Sequence, residues 1–278
     1  MFPISDPEHP RHGFPVVNVT LMALCVLIFL YQVLLLDDFE LSRFYNNYGV
    51  VPYELTGRGD LGEQVKALVE EGDRSVLEVE GVSGALVRHA VRVGEDGTVQ
   101  FADVRNVYEG GPSPWVTLFT SMFMHGGWMH LIGNMLFLWV FGDNLEARMG
   151  RVKYLAFYVI SGLFASVAQV GIDMDSAIPT IGASGAIAGV LGGYLVLFPH
   201  ARIQTLIFMI LITVIAVPAW LLIGIWVIIQ FFNGFISLGG EFAQGVAYWA
   251  HIGGFVAGFL MLAAMTGGAQ IRRILPRG

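Results

Sequence analysis

Ser184 stands in Gly182-Ala183-Ser184-Gly185, with no bulk around its hydroxyl, and His251 stands in Ala250-His251-Ile252-Gly253-Gly254. A serine hydroxyl is a weak nucleophile until a base takes its proton, and a neutral imidazole is the commonest such base. If the two side chains meet, the chemistry available is acyl transfer. That reaction also needs donors aimed at a developing oxyanion. His130 and Asn134 are four residues apart, about 40° around a helix, and so share a face. Their ring N–H and amide could act as donors, with the Ser184 backbone N–H completing the set. Each residue also has a plainer reading. Serine among small residues is common packing material in membrane helices. His251 could be a buried, backbone-bonded histidine or a step on a proton path. His130 and Asn134 alone read more simply as an interhelical hydrogen-bonded pair. His125 lies about 140° from His130 on a helix and is assigned to structure, near the outer end of its helix.

The elements around these residues offer a way to bring them together. Gly185, Gly189 and Gly193 fall four apart and make a smooth ridge just after Ser184; Gly254 and Gly258 do the same just after His251. Two parallel helices with such ridges can pack backbone to backbone, bringing Ser184 and His251 to the same end of the contact. The apolar run after Ser184 ends at Phe198, so its helix would be roughly 22 Å long against about 30 Å of hydrocarbon. It should therefore start below the membrane surface. Non-helical chain at that depth is tolerated only where protein covers it or it lines a wet cavity. No acidic residue in the apolar segments is placed to orient His251, so the expected unit is a dyad with slow turnover. The histidines are scattered and there is no cysteine cluster, so no metal site and no cofactor is expected.

Composition sets the class. Of 278 residues, 55% are hydrophobic and 13% charged, and the mean hydropathy is +0.65. That is a polytopic membrane protein. The net charge is −7, and no nucleic-acid partner is expected. The single Cys25 excludes a disulfide framework. No signal peptide is expected, because the first apolar segment is as long as a full span and lacks a small-residue cleavage site.

In chain order, residues 1–16 read as a polar tail and 17–36 as a first transmembrane helix. Residues 37–113 carry 15 acidic and 7 basic residues and read as a small α+β insert. Within it, Leu61, Val65, Leu68 and Val69 have helical spacing. Val76–Glu80, Val91/Val93 and Val99/Phe101 read as short strands. Residues 114–268 form the core: a second span from Pro114 to Phe141, a third near 154–171, a short fourth from Ser184, a fifth opened by Pro218, and a last near 249–268. The run Ile203–Val217 is short for a span and is read as an interfacial or re-entrant stretch. Residues 269–278 are a tail. Outside the insert, the eight Lys/Arg residues are Arg11, Arg148, Arg151, Lys153, Arg202, Arg272, Arg273 and Arg277. Six spans with both termini cytoplasmic put all of them inside, with Asp173, Asp175, Glu241 and the insert outside. The expected location is a prokaryotic inner membrane.

Together these residues resemble the rhomboid family of intramembrane serine proteases. The matching motifs are His125-x4-His130-x3-Asn134, Glu146-x-Arg148-x-Gly150, Gly182-x-Ser184-Gly185 and Ala250-His251-x2-Gly254-x3-Gly258, in the family's order and spacing over about residues 114–268. The resemblance implies a six-helix bundle that cleaves transmembrane segments of other proteins within the lipid bilayer. It implies Ser184 as nucleophile, His251 as general base, and an oxyanion hole from His130, Asn134 and the Ser184 amide. Glu146 and Arg148 carry over as structural residues near the cytoplasmic face. The chain departs from the family pattern twice. Some members carry a Trp-Arg pair in the first outer loop, where this chain has Val116-Thr117. Some place a tyrosine four residues after the nucleophile, stacked on the histidine, where this chain has Ala188. Tyr248 and Trp249 are then the nearby candidates for holding the ring.

Two other function classes compete. A catalytically inactive rhomboid-like protein that binds membrane clients would typically lose the serine or the histidine, and this chain keeps both. A six-span transporter with His130, Asn134 and His251 along a polar path leaves the Gly-x-Ser-Gly entry unexplained. The chain also shows no repeat of two similar halves.

Overall fold

Ser184 opens a short buried helix against which other described helices pack. The computed structural model describes residues 2–7, 13–56, 76–80, 86–93, 99–103, 112–172, 174, 176, 178–208, 212–238 and 245–267. The chain is mostly helical, and among the described residues four helices are long and apolar enough to cross a membrane: α1 (Val16–Leu35), α7 (Arg151–Ile172), α9 (Ala219–Ser237) and α10 (Tyr248–Met265). Each is less than half buried, so most of its apolar surface faces outward, as lipid-facing helices require. The exception is α8 (Ser184–Leu197), which begins on Ser184 and is buried from Gly185 to Tyr194.

The second apolar segment is not one continuous span from Pro114. It divides into α4 (Pro114–Thr120), a 3-10 turn over Ser121–Phe123, and a new helix from Trp128. The break follows from sequence: Gly126 and Gly127 lie between the pieces, and Gly127 is fully extended, a poor helix residue in any case. From Trp128 the chain is helical to Met149 as α5 (Trp128–Phe137), a π-helical turn over Leu138–Gly142, and α6 (Asp143–Met149). A π turn leaves a carbonyl without its usual partner. Here Asn18 Nδ2 donates to the Leu138 oxygen at 2.9 Å, and Tyr154 donates its hydroxyl to Asn18 Oδ1 at 2.7 Å. Gly142 makes room, since a Cβ there would run into Asn18 and Tyr154.

Glu146 anchors the N-terminal end of α1. Its carboxylate accepts from the backbone of Val17 at 3.1 Å and of Asn18 at 2.7 Å, at a helix start that has no side-chain cap of its own. Arg148 is exposed, and Gly150 (φ +81) closes α6 by donating to the Glu146 carbonyl. After α1, the helix α2 (Asp38–Tyr48) opens on a capping box between Asp37 and Glu40, and the short α3 (Pro52–Leu55) follows.

The chain is not all-α. Within 37–113, β2 (Val76–Glu80), β3 (Leu86–Val93) and β4 (Val99–Asp103) form an antiparallel sheet. The helical pattern expected at 61–69 lies outside the described residues. The run at 203–217, expected as an interfacial or re-entrant stretch, takes the form of a hairpin: β5 (Arg202–Phe208) pairs with β6 (Ile212–Pro218). Nor is the whole of 1–16 a free tail. Its β1 (Phe2–Ser5) pairs with β5, and Asp6 accepts hydrogen bonds from Tyr194 and Asn144. The hairpin buries Ile203, Thr205, Ile207 and Val217, and Ile203 and Val217 join the core around α8. A nearly continuous apolar run has no period that separates strand from buried helix. The strand that completes the sheet comes from the other end of the chain. Arg11, Asp173, Asp175, Glu241, Arg272, Arg273 and Arg277, on which the orientation argument drew, lie outside the described residues.

Candidate active site

The approach to Ser184 is held by backbone bonds. Thr180 exchanges N–H and C=O bonds with Val50 at 2.8 and 2.9 Å, and the Gly182 N–H donates to the Ser121 carbonyl at 2.8 Å. Gly182 sits at φ +127, where a side chain would be strained, and a Cβ there would lie 2.8 Å from His130 Cε1 and Nε2. Bare backbone therefore lets the His130 ring sit over the loop that leads into Ser184. Ser184 is the first residue of α8, so its amide and those of Gly185 and Ala186 have no acceptor within the helix.

Glycine contacts set the register of α8 against α10. A Cβ on Gly254 would collide with the Gly185 carbonyl, one on Gly258 with the Gly189 carbonyl, and one on Gly192 with the Phe255 carbonyl. Both Gly185 to Gly254 and Gly189 to Gly258 run upward in number, so the helices are parallel. Gly193 does not belong to this contact; it faces Phe157, Leu145 and Leu262. The third wall is α7, where Ala165, Ser161 and Ala168 fill the space that side chains on Gly185, Gly189 and Gly253 would need.

That register places His251 Nε2 2.7 Å from Ser184 Oγ. His251 is buried and Ser184 is partly exposed. On its far side His251 Nδ1 lies 2.8 Å from Gln230 Oε1. The Trp226 ring, one helical turn from Gln230, lies 5.7 Å from the imidazole at an interplanar angle of 35°. These two α9 residues hold the histidine. Tyr248 meets it only edge-on at 6.4 Å, and Trp249 packs on Phe235 instead. Trp249 is two residues before His251, about 160° away around α10, so it cannot reach the ring. Ala188 is fully buried and offers only a methyl group.

His130 and Asn134 both lie on α5, one turn apart. The Asn134 amide nitrogen is buried and has no hydrogen-bond partner among the described residues, so its donor is unspent. His125 is buried in the loop before α5, its ring edge-on to His130 at 5.1 Å. Its backbone is clamped rather than its ring. Gln32 exchanges bonds with the His125 N–H and C=O at 3.3 Å, and Tyr45 donates to the same carbonyl at 3.1 Å. Burial pushes the Tyr45 hydroxyl up to about 12, so it stays a donor across the physiological range. Beside Ser184 opens a small cavity whose lining includes Gly162, Ala165, Ser166, Gly182 and Ala250.

Gln230, Trp226 and Gln32 were not singled out from sequence. The available signal was chemical: an amide in the middle of an apolar helix is costly unless it finds a partner.

A family model for the rhomboid domain matches residues 112–267, more than half the chain. The chain belongs to the rhomboid family. Its rhomboid relatives include "Rhomboid protein 1, mitochondrial" of Saccharomyces cerevisiae, 33% identical over 52% of this chain and 40% of that protein. "RHOMBOID-like protein 4" of Arabidopsis thaliana is 32% identical over 57% of this chain and 36% of its own length. "Rhomboid protease GluP" of Bacillus subtilis is 31% identical over 58% of this chain and 29% of its own length. The chain thus spans less than half the length of each of these relatives. The rhomboid match begins at Pro112, after the β2–β4 segment, and takes in every residue placed around Ser184 except Gln32, Tyr45 and Val50.

Proposed function

We propose that this rhomboid is an intramembrane serine endopeptidase that hydrolyses peptide bonds in or near the transmembrane segments of other membrane proteins. The observation that carries the reading is the 2.7 Å contact between Ser184 Oγ and His251 Nε2 at the start of a short, buried helix. Family membership and a relative named as a protease support it.

Ser184 Oγ attacks the scissile carbonyl carbon while its proton passes to His251 Nε2. Negative charge collects on the carbonyl oxygen, opposite donors offered by the Ser184 amide, the Asn134 amide and the His130 ring. Collapse of the tetrahedral intermediate sends the His251 proton to the departing amine and leaves an ester on Ser184. A water molecule, deprotonated by the same imidazole, then attacks the ester and frees the serine.

Six crossings are proposed: α1, the continuous 128–149 helix, α7, α8, α9 and α10, with both termini cytoplasmic and the insert outside. Similar proteins come from yeast, a plant and a bacterium, so the family alone does not assign the chain to a prokaryotic membrane. The cavity lined by Gly162, Ala165 and Gly182 suits a small residue at the cleavage point. The test is labelling by a fluorophosphonate serine-hydrolase probe in membranes. Labelling that disappears in Ser184→Ala supports the reading, and labelling that persists there overturns it.

A further inference from the structure

We propose that Gln230 is the third member of the site, a positioning residue that holds His251 in the one tautomer able to accept the serine proton. The proposal rests on the serine-protease reading and deepens it. The Gln230 carboxamide is held at both ends. Its Nε2 donates to the Trp226 carbonyl at 3.2 Å, and its Oε1 lies 2.8 Å from His251 Nδ1. Turned over, the amide would set its oxygen against the Trp226 carbonyl oxygen, and two acceptors do not bond. The anchored orientation leaves an acceptor facing Nδ1, so Nδ1 carries the ring proton. Nε2 is then bare, and across 2.7 Å it can only accept from the Ser184 hydroxyl.

Gln230 is buried, so letting go of His251 would strand its oxygen away from water. Trp226, tilted over the ring, restricts its rotation. Among the described residues, the remaining groups that face the imidazole are the Ser184 hydroxyl on α8 and the Tyr248 ring on α10, with His130 of α5 beyond the serine. During the reaction the serine proton moves to Nε2, while the Nδ1 proton stays on the ring and its bond to Gln230 shortens onto an imidazolium. No proton passes to the amide. A neutral acceptor therefore supplies the tautomer and ring angle that a carboxylate supplies in a Ser-His-Asp triad, without the full opposing charge.

The test uses the full chain in detergent micelles. In wild-type protein labelled with ¹⁵N-histidine, the signal lost on His251→Asn should show the Nδ1–H form; an Nε2–H form overturns the proposal. With a single-span reporter helix carrying Gly and Ala near its outer end, Gln230→Leu should lower kcat about 10- to 100-fold, the worth of one hydrogen bond to a charged ring. KM should stay within about twofold. Gln230→Glu keeps an acceptor toward Nδ1, and as the neutral acid its hydroxyl donates to the Trp226 carbonyl in place of the amide, so at its optimum pH it should keep kcat within about threefold of wild type. Unchanged kcat in Gln230→Leu, or a Gln230→Glu variant more than about tenfold below wild type at every pH, overturns the proposal. Should Gln230→Leu not fold, the wild-type spectrum and the glutamate variant decide. Ser184→Ala separates the two levels. Cleavage persisting there defeats the protease reading itself, whereas a dead Ser184→Ala beside a fully active Gln230→Leu defeats only the role of Gln230.

Discussion

Gly254 packs directly on the backbone of Gly185, so close that a Cβ on Gly254 would overlap the Gly185 carbonyl oxygen. Ser184 and His251 lie one and three residues before these glycines, so the distance between nucleophile and base is set by a backbone contact. Gly254→Ala should force α8 and α10 apart. The expected cost is about 1–3 kcal/mol of stability, as for other overpacked sites, with at least about a tenfold loss of cleavage from the misplaced base. Gly133→Ala is the control, since an added Cβ there meets nothing within 4 Å. Thermal unfolding and reporter cleavage, measured together, check both. Equal behaviour of the two variants would remove the backbone contact from the account.

The site residues should differ in a fixed order. Ser184→Ala should abolish cleavage, because Gly182, Ala183, Gly185 and Ala186 carry no hydroxyl to take its place. His251→Ala should nearly abolish it. Asn134→Ala should be milder, about 10²–10³ in rate, since two oxyanion donors remain, and His130→Ala should fall between. Single-turnover cleavage of the reporter by monodisperse protein ranks the four, and an Asn134 variant as inactive as Ser184→Ala would contradict the assigned roles.

Glu146 predicts a loss of stability rather than of chemistry. Glu146→Ala leaves the amides of Val17 and Asn18 without their carboxylate. The expected loss is about 1.5–3 kcal/mol, typical of bonds to a charged group. Glu146→Gln, which still presents an acceptor, should lose less. Denaturation in micelles measures the difference, and fluorophosphonate labelling of the folded fraction should stay near wild type.

Substrate choice should follow helix stability. An intact helix hides its carbonyls in its own hydrogen bonds, so Ser184 requires a locally extended strand. Placing Gly or Pro in the outer third of a poorly cleaved reporter should raise its cleavage, measured by product formation in proteoliposomes. Cleavage indifferent to these changes would argue for a different way of engaging substrate.

The 37–113 segment should be dispensable for the chemistry. Replacing about residues 60–108 by a short flexible linker should leave fluorophosphonate labelling of Ser184 largely intact. Cleavage of natural substrates falls in that variant only if the segment recruits them. Lost labelling in a folded, inserted variant would instead make the segment part of the site.

The motif around Ser184 was legible in the chain because its signals are local. Small residues flank one hydroxyl, the apolar run stops early at Phe198, and glycines four apart mark a face that can approach another backbone. The same holds for Gly254 and Gly258, and for the pairing of His130 with Asn134 on one helical face. These are consequences of helical period and side-chain size, which the order of residues determines by itself. What holds the His251 ring was not local. Gln230 and Trp226 reach it only because α9 crosses α10 at one height and rotation, and no period within either helix encodes that crossing. Ala188 and the nearby Trp249 pointed to the wrong neighbourhood for the same reason. The strand at Phe2–Ser5 and the pairing within 202–218 were not legible because a strand's identity lies in its partners. β5 pairs with the neighbouring β6 on one side, but on the other its partner β1 comes from the far end of the chain, and only tertiary structure brings those two together.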